Sequence, residues 1–463
     1  PAVAVAASLA AAPTAVLASE GGEAAGHAAH VPPVWTVGFF VAMLLAIALL
    51  PLSRFHHWWE SNLHKLVVAL LLGAYPAYYY LAREPHTLTH VLIYEYVPFI
   101  ILLGSLFMIS GGVRVTGDLR ADPRTNTVMI GIGTLIASLI GTTGASMLLI
   151  RPLLQTNRER QHKVHTVIFF IFLVSNIGGS LLPIGDPPLF LGYLAGVPFF
   201  WTLNLWKVWL PTCGFLLAVY YLLDRAYYRR EPPAMREWDR TALEPVRIRG
   251  ARNFLWLAGV VASVVFMHEH SPIPLFRIHF LREATMVAMV ALAFATSPRR
   301  NWIENRFTMG PITEVAALFI GIFITMVPAL AILRARGGEL GVDSPLKFFW
   351  GSGTLSSFLD NAPTYLVFFK TASGAVASGA MPALELVGNA ADKVPAPVLL
   401  AISTGAVFMG ANTYIGNGPN FMVKAIAEES GIKMPSFLGY MRWSVGILIP
   451  TFVLVSLLFF LGD

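Results

Sequence analysis

Long apolar runs separated by short polar turns occupy most of the chain. A helix needs roughly 20 mainly apolar residues to cross about 30 Å of hydrocarbon. The runs at about 34–50, 63–82, 91–111, 164–203, 205–225, 253–269, 281–297, 314–333, 397–425 and 442–461 approach or exceed that length and predict transmembrane helices. Two further stretches, 127–154 and 347–371, are interrupted by small and polar residues and predict re-entrant hairpins. The runs 164–203 and 397–425 carry Asn, Gly and Pro inside them and predict broken helices.

The pattern recurs at a fixed offset. Glu95 and Glu314 both open a long apolar run, and 314 − 95 = 219. Ser138 and Ser357 sit in the two hairpins, and Arg151 and Lys370 end them, each pair again 219 apart. Gly179 and Gly410, and Gly185 and Gly416, are 231 apart, the extra residues falling in the loop from Thr371 to Pro397. The fold class is therefore an all-α polytopic membrane protein built from two repeats. Each has five crossings, one re-entrant hairpin and one broken helix. Five is odd, so the repeats are inverted, the plan in which broken helices meet near the membrane midplane. We place repeat 1 at 31–226, a linker at 227–252 and repeat 2 at 253–463.

Composition agrees: 56% of residues are hydrophobic, 13% are charged and the mean hydropathy is +0.65. A soluble domain carries about a quarter charged residues. The net charge of +6 does not point to nucleic acid, because the basic residues lie in short loops. The densest cluster, with Arg225, Arg229, Arg230, Arg236, Arg240, Arg247, Arg249 and Arg252, sets the central loop in the cytoplasm by the positive-inside rule. Counting crossings outward places the N-terminus in the periplasm of a bacterial inner membrane. Residues 1–30 are Ala-rich and resemble a secretory signal or a disordered tail. His27 and His30 in that tail are not expected to form a metal site. Cys213 is the only cysteine, so no internal disulfide is possible.

Unwound backbone at membrane depth is tolerated only where it is buried in protein or lines a watery cavity. Four breaks are placed there: Gly141-Thr142-Thr143-Gly144, Ser175-Asn176 through Gly185-Asp186, Ser357 through Asp360-Asn361, and Asn412-Thr413 through Gly416-Asn417. Ser175, Asn176, Thr142, Thr143, Ser357, Asn361, Asn412, Thr413 and Asn417 supply oxygens for a small ion. Asp186 and Asp360 supply charge. An ionisable residue inside a membrane costs at least about 2.5 kcal/mol and is by default a functional candidate. Neither aspartate has Lys or Arg within a few residues, so the pair suits a cation or a proton, and hard oxygen ligands favour Na⁺. The competing reading is that each aspartate caps a half-helix, since Asp before Pro or at a helix start is a good cap. Glu95 and Glu314 are weaker candidates for a proton relay or gate, on opposite sides of the membrane. Arg151 and Lys370 are expected to snorkel to the interfaces. No nucleophile–base pair or cofactor motif is visible, so no enzyme and no cofactor are expected.

Several of these motifs resemble the ion transporter superfamily, specifically NhaD-type sodium/proton antiporters and their arsenite-permease and citrate-transporter relatives. The resemblance rests on Asn176-Ile177-Gly178-Gly179 with Pro183-Ile184-Gly185-Asp186-Pro187-Pro188, on Asp360-Asn361-Ala362-Pro363-Thr364, on Gly416-Asn417-Gly418-Pro419-Asn420-Phe421, and on the helices at Glu95 and Glu314. It implies a homodimer with a scaffold at the interface, a transport domain carrying both hairpins, and elevator-type exchange of Na⁺ for H⁺ at Asp186 and Asp360. The related carboxylate symporters carry Ser-Asn-Thr motifs; here Ser175-Asn176 is followed by Ile177. The alternative implied is Na⁺-coupled symport of citrate or another di- or tricarboxylate.

Overall fold

A computed structural model describes residues 31–461 apart from 242, 269, 270 and 272. The signal-like tail, with His27 and His30, lies outside the described residues. Among those described, the first half runs through α1 (Val34–Leu49), α2 (Asn62–Arg83) and α3 (Pro85–Gly111). Two hairpin arms follow, α4 (Pro123–Ile140) and α5 (Thr142–Thr156), then the two halves of a broken helix, α6 (Val164–Leu173) and α7 (Pro187–Leu194), and a closing helix, α8 (Trp206–Arg230). The second half repeats this order. It has α9 (Arg252–Phe266), α10 (Leu281–Thr296) and α11 (Gly310–Arg336), then a second hairpin of α12 (Pro345–Phe358) and α13 (Asn361–Ala377). The second broken helix is α14 (Ala396–Met409) and α15 (Gly418–Glu429), and α16 (Phe437–Phe459) ends the bundle.

Local chemistry makes each break. Gly141, between the arms of hairpin 1, has φ 81°, a conformation that L side chains rarely adopt. Pro187 and Pro188 lack N–H donors and so open α7, and Pro419 does the same for α15. The sequence of α6, Val-His-Thr-Val-Ile-Phe-Phe-Ile-Phe-Leu, is apolar on nearly every side, and all of it from His165 to Leu173 is buried. A helix with no polar face belongs inside a bundle. By contrast α2 exposes Leu63, Val67, Leu70, Leu71 and Tyr78, the surface expected towards lipid.

Polar contacts show which ends share a face. Asn253, Asn301 and Asn305 donate to the carbonyls of Ile109, Gly112 and Gly111 at the end of α3, satisfying groups that a helix end leaves open. The first strand, β1 (Arg114–Asp118), pairs antiparallel with β2 (Glu244–Arg249), with Arg114 opposite Arg249. The arginine-rich loops thus lie together, and hairpin 1 enters from that face. Hairpin 2 enters from the opposite face, where β3 (Leu386–Gly388) pairs with β4 (Lys393–Pro395). The two ladders are the only strands among the described residues and lie outside the helical bundle.

Two expectations are corrected. Glu95 does not open its helix: α3 starts at Pro85, and Glu95 sits inside it, in a π-helical stretch Val91–Tyr96 just before Pro98. The polar segment Pro85–His90 reads as a loop but continues the helix beyond the apolar run. Arg151 and Lys370 do not end the hairpins: the second arms run on to Thr156 and Ala377, and the two residues contact Glu429 at 3.9 Å and Asp392 at 2.6 Å.

Candidate ion-binding site

The four breaks converge on Asp186. It occupies the N-cap position of α7, yet its side chain makes no capping bond and is 1% exposed. Three side chains from three other breaks donate to the carboxylate instead. Thr142 Oγ1, at the tip of hairpin 1, lies 2.8 Å from Oδ1. Asn361 Nδ2, at the tip of hairpin 2, lies 2.6 Å from Oδ2. Asn417 Nδ2, in broken helix 2, lies 3.1 Å from Oδ1. The repeat explains the arrangement: 361 − 142 = 219 makes Thr142 and Asn361 counterparts, and 417 − 186 = 231 makes Asn417 the counterpart of Asp186 itself.

The surrounding polar groups hold the unwound segments together. Asn417 Nδ2 also reaches Ser175 O at 3.2 Å, and Ser175 Oγ lies 2.8 Å from Ser146 Oγ. Asn176 Nδ2 donates to Asn420 Oδ1 at 2.7 Å, and Asn420 Nδ2 donates to Gly410 O and Thr413 O, each at 2.9 Å. Thr413 Oγ1 donates to Ser357 O at 2.6 Å, and Asn412 Nδ2 to Ser357 Oγ at 2.9 Å. The backbones cross where side chains are lacking. A Cβ on Gly185 would collide with Gly179 O, and one on the counterpart Gly416 would lie 2.5 Å from Gly410 O.

Buried oxygens are left over. Asn176 Oδ1, Asn361 Oδ1 and Asn412 Oδ1 are buried without a hydrogen-bond donor. Each such atom costs about 1–3 kcal/mol when unsatisfied, and that cost is removed if a cation takes it as a ligand. The carboxylate needs the same: three neutral donors solvate it without cancelling its charge, and a lone buried charge is far costlier than a paired one. Among the described residues no Lys, Arg or His side chain bonds Asp186, and no cluster of three His, Cys, Asp or Glu could hold a metal ion. A hard monovalent cation or a proton fits this donor set.

The remaining predicted residues divide. Asp360 lies next to Asn361, but one of its carboxylate oxygens accepts Ala362 N–H at 3.0 Å, so it caps α13. Capping therefore describes Asp360 and not Asp186. Thr143 makes no side-chain bond to the centre; with Gly141, Thr142, Gly144, Gly185 and Pro187 it lines a small cleft of about 60 Å³ against Leu103 and Phe107 of α3 and Pro311, Ile312 and Val315 of α11. Those ends of α3 and α11 are on the arginine-rich face, and Thr142, Gly185 and Pro187 connect the cleft lining to Asp186. Glu314 lies away from the centre, 2.6 Å from the buried Lys65 Nζ of α2, and Glu95 lies 4.0 Å from His90 Nδ1. Sequence reading did not single out Ser146 and Asn420 as site residues. The signal for Asn420 was its place three residues after Asn417, one turn along the same half-helix.

No curated protein sequence matches this chain. The family described as "Putative citrate transport" matches residues 28–460, and on that match across nearly its whole length the chain belongs to that family of membrane transporters.

Proposed function

We propose that the protein is a secondary active transporter that exchanges Na⁺ for H⁺ at Asp186 by elevator-type alternating access. The observation that carries this reading is the fully buried carboxylate with three neutral donors from both repeats, alongside three donorless amide oxygens in the same four breaks. Na⁺ and H⁺ compete for Asp186, with Asp360 adding negative charge beside Asn361, and only the loaded or protonated carrier crosses. Thr142, Asn361 and Asn417 hold the carboxylate; Asn176, Asn361 and Asn412 offer oxygens to the ion. We place the arginine-rich face in the cytoplasm by the positive-inside rule and read the protein as a homodimer. The test uses proteoliposomes loaded with a pH dye. Na⁺ added outside, with no organic anion, is expected to make the interior alkaline, and Asp186→Asn is expected to abolish that response.

A second reading, Na⁺-coupled symport of citrate or another carboxylate, is favoured by the family match. The same bound Na⁺ would then offset the aspartates and let a carboxylate approach the Asn and Thr groups. Labelled citrate uptake that needs a Na⁺ gradient, with no pH response to Na⁺ alone, would select it and overturn cation exchange.

A further inference from the structure

The two ends of α11 meet the hairpin bundle very differently. At its C-terminal end, Arg334 Nη2 donates to Ala391 O at 2.6 Å, and its Nε lies 3.4 Å from Asp392 Oδ1. Asp392 is also bound by Lys370 Nζ at 2.6 Å and by Ser373 Oγ at 3.2 Å, both from α13 of hairpin 2. Its side chain is 6% exposed. The backbones touch as well: a Cβ on Gly374 of α13 would lie 2.5 Å from Arg334 O. At the other end, Arg306, just before α11, lies 3.6 Å from Glu429 Oε2, and Arg151 of hairpin 1 lies 3.9 Å from the same oxygen. Glu429 is 54% exposed and Arg306 70% exposed. The open cleft beside Thr142 adjoins this end.

Arg151 and Lys370 occupy repeat-equivalent positions, since 370 − 151 = 219. Each lies within the second arm of its hairpin, α5 or α13, and each shares a carboxylate with an arginine at one end of α11. We infer that these two triads are alternating latches: Lys370–Asp392–Arg334 is engaged and seals the hairpin 2 face, while Arg151–Glu429–Arg306 is slack and leaves the hairpin 1 face open. A shielded, short-range ion pair with several partners resists separation, whereas an exposed pair near 4 Å contributes little. Moving the bundle along α11 loosens the first triad and tightens the second. Arg334 and Asp392 are thus positioning residues that set which face is open, remote from the ion. The inference rests on the alternating-access reading above.

Its test does not depend on the transported ion. Cys213 is the only cysteine and is buried, so a Cys213→Ala background carrying Val315→Cys places one thiol in the cleft. A membrane-impermeant maleimide applied from the arginine-rich face reads how often the cleft is open. Asp392→Asn and Arg334→Gln are expected to slow labelling about fivefold or more, the scale of a modest coupling between sites. Arg334→Lys is expected to restore it, and Arg306→Gln, which removes the latch of the closed cleft, not to slow it. Unchanged labelling in Asp392→Asn and Arg334→Gln would overturn the latch and leave the cluster as a packing feature. A shift in labelling without Na⁺/H⁺ exchange would keep the latch and remove only the ion assignment.

Discussion

Hairpin 1 and hairpin 2 each fold as two helical arms with equivalent serines, yet they differ at tip and base. The tip of hairpin 1 is a bare glycine, Gly141, beside the open cleft; its counterpart in hairpin 2 is Asp360, a capping carboxylate. At the base, hairpin 1 is fastened within its own bundle. Asn126 and Asn157 bond each other at 2.8 Å, and Asn126 reaches Asp224 of α8 at 3.3 Å. Asp224 Oδ1 also takes Arg160 Nη2 and His165 Nε2, each at 2.7 Å. Hairpin 2 is instead tied by Asp392 to Arg334 of α11. The two halves therefore share the path of the chain while their charges differ. Repeat 1 keeps its carboxylate in the broken helix at Asp186, where repeat 2 has Asn417; repeat 2 keeps its own at the hairpin tip, where repeat 1 has Gly141. Two repeats with the same order of elements thus carry unlike acids, one held by three side chains and one capping a helix.

The largest expected effect comes from removing that difference. Asp186→Asn keeps the shape and deletes the charge, and is expected to lower exchange at least about 100-fold, equivalent to about 3 kcal/mol. Initial rates of dye response in proteoliposomes measure it, and retained activity would move the site elsewhere. Transplanting the acid sharpens the comparison: Asp186→Asn with Asn417→Asp is expected to recover part of the lost rate, because Asn417 is the repeat counterpart of Asp186 and its side chain lies 3.1 Å from that carboxylate. No recovery would mean that the flanking groups, and not the backbone symmetry, define the ion's place.

A smaller effect is expected at hairpin 2. Asn caps a helix about as well as Asp, so Asp360→Asn keeps the start of α13 and removes only the charge. A fall of about tenfold, worth about 1.4 kcal/mol, is expected with an unchanged melting temperature. Asp360→Ala loses the cap as well and is expected to cost about 1 kcal/mol of stability besides. Equal exchange in wild type and Asp360→Asn would leave Asp360 as a cap alone and make Asp186 the sole exchanging group.

How much of this could be read from the sequence follows from range. The breaks at Gly141, Asn176–Pro188, Asp360 and Gly410–Pro419 are local events, written by Gly, Pro and Asn inside apolar runs, and so is the offset between repeats. The start of α3 was misread because helix polarity and helix extent differ: Pro85–His90 is polar but helical. What Asp186 bonds could not be read, since Thr142, Asn361 and Asn417 are 44, 175 and 231 residues away along the chain. Nor could the division of labour between the aspartates, as both precede a half-helix and both look like caps. The pairing of Asp392 was equally hidden: it lies in a polar loop, and only the approach of α11 to α13 through Gly374 brings Arg334 to it.

The subtlest comparison is between Ser138 and Ser357. Ser138 Oγ donates to Gly178 O at 2.5 Å and accepts Leu181 N–H at 3.0 Å, which pins hairpin 1 to the unwound part of broken helix 1. Ser357 Oγ lies 3.2 Å from Met409 O, the counterpart of Gly178 O, and accepts Asn412 Nδ2 at 2.9 Å. Alanine at either position leaves buried partners unsatisfied, at a cost of about 1–3 kcal/mol. Both variants should therefore melt earlier by similar amounts. Only Ser357→Ala also frees an amide whose oxygen faces no donor, so only it should raise the Na⁺ concentration for half-maximal exchange, by a few-fold. A matching Na⁺ shift in Ser138→Ala would mean that hairpin 1 supplies the ion's oxygens through its backbone. No shift in either would take Asn412 out of the ion's ligand set and leave Asn176 and Asn361 to complete it.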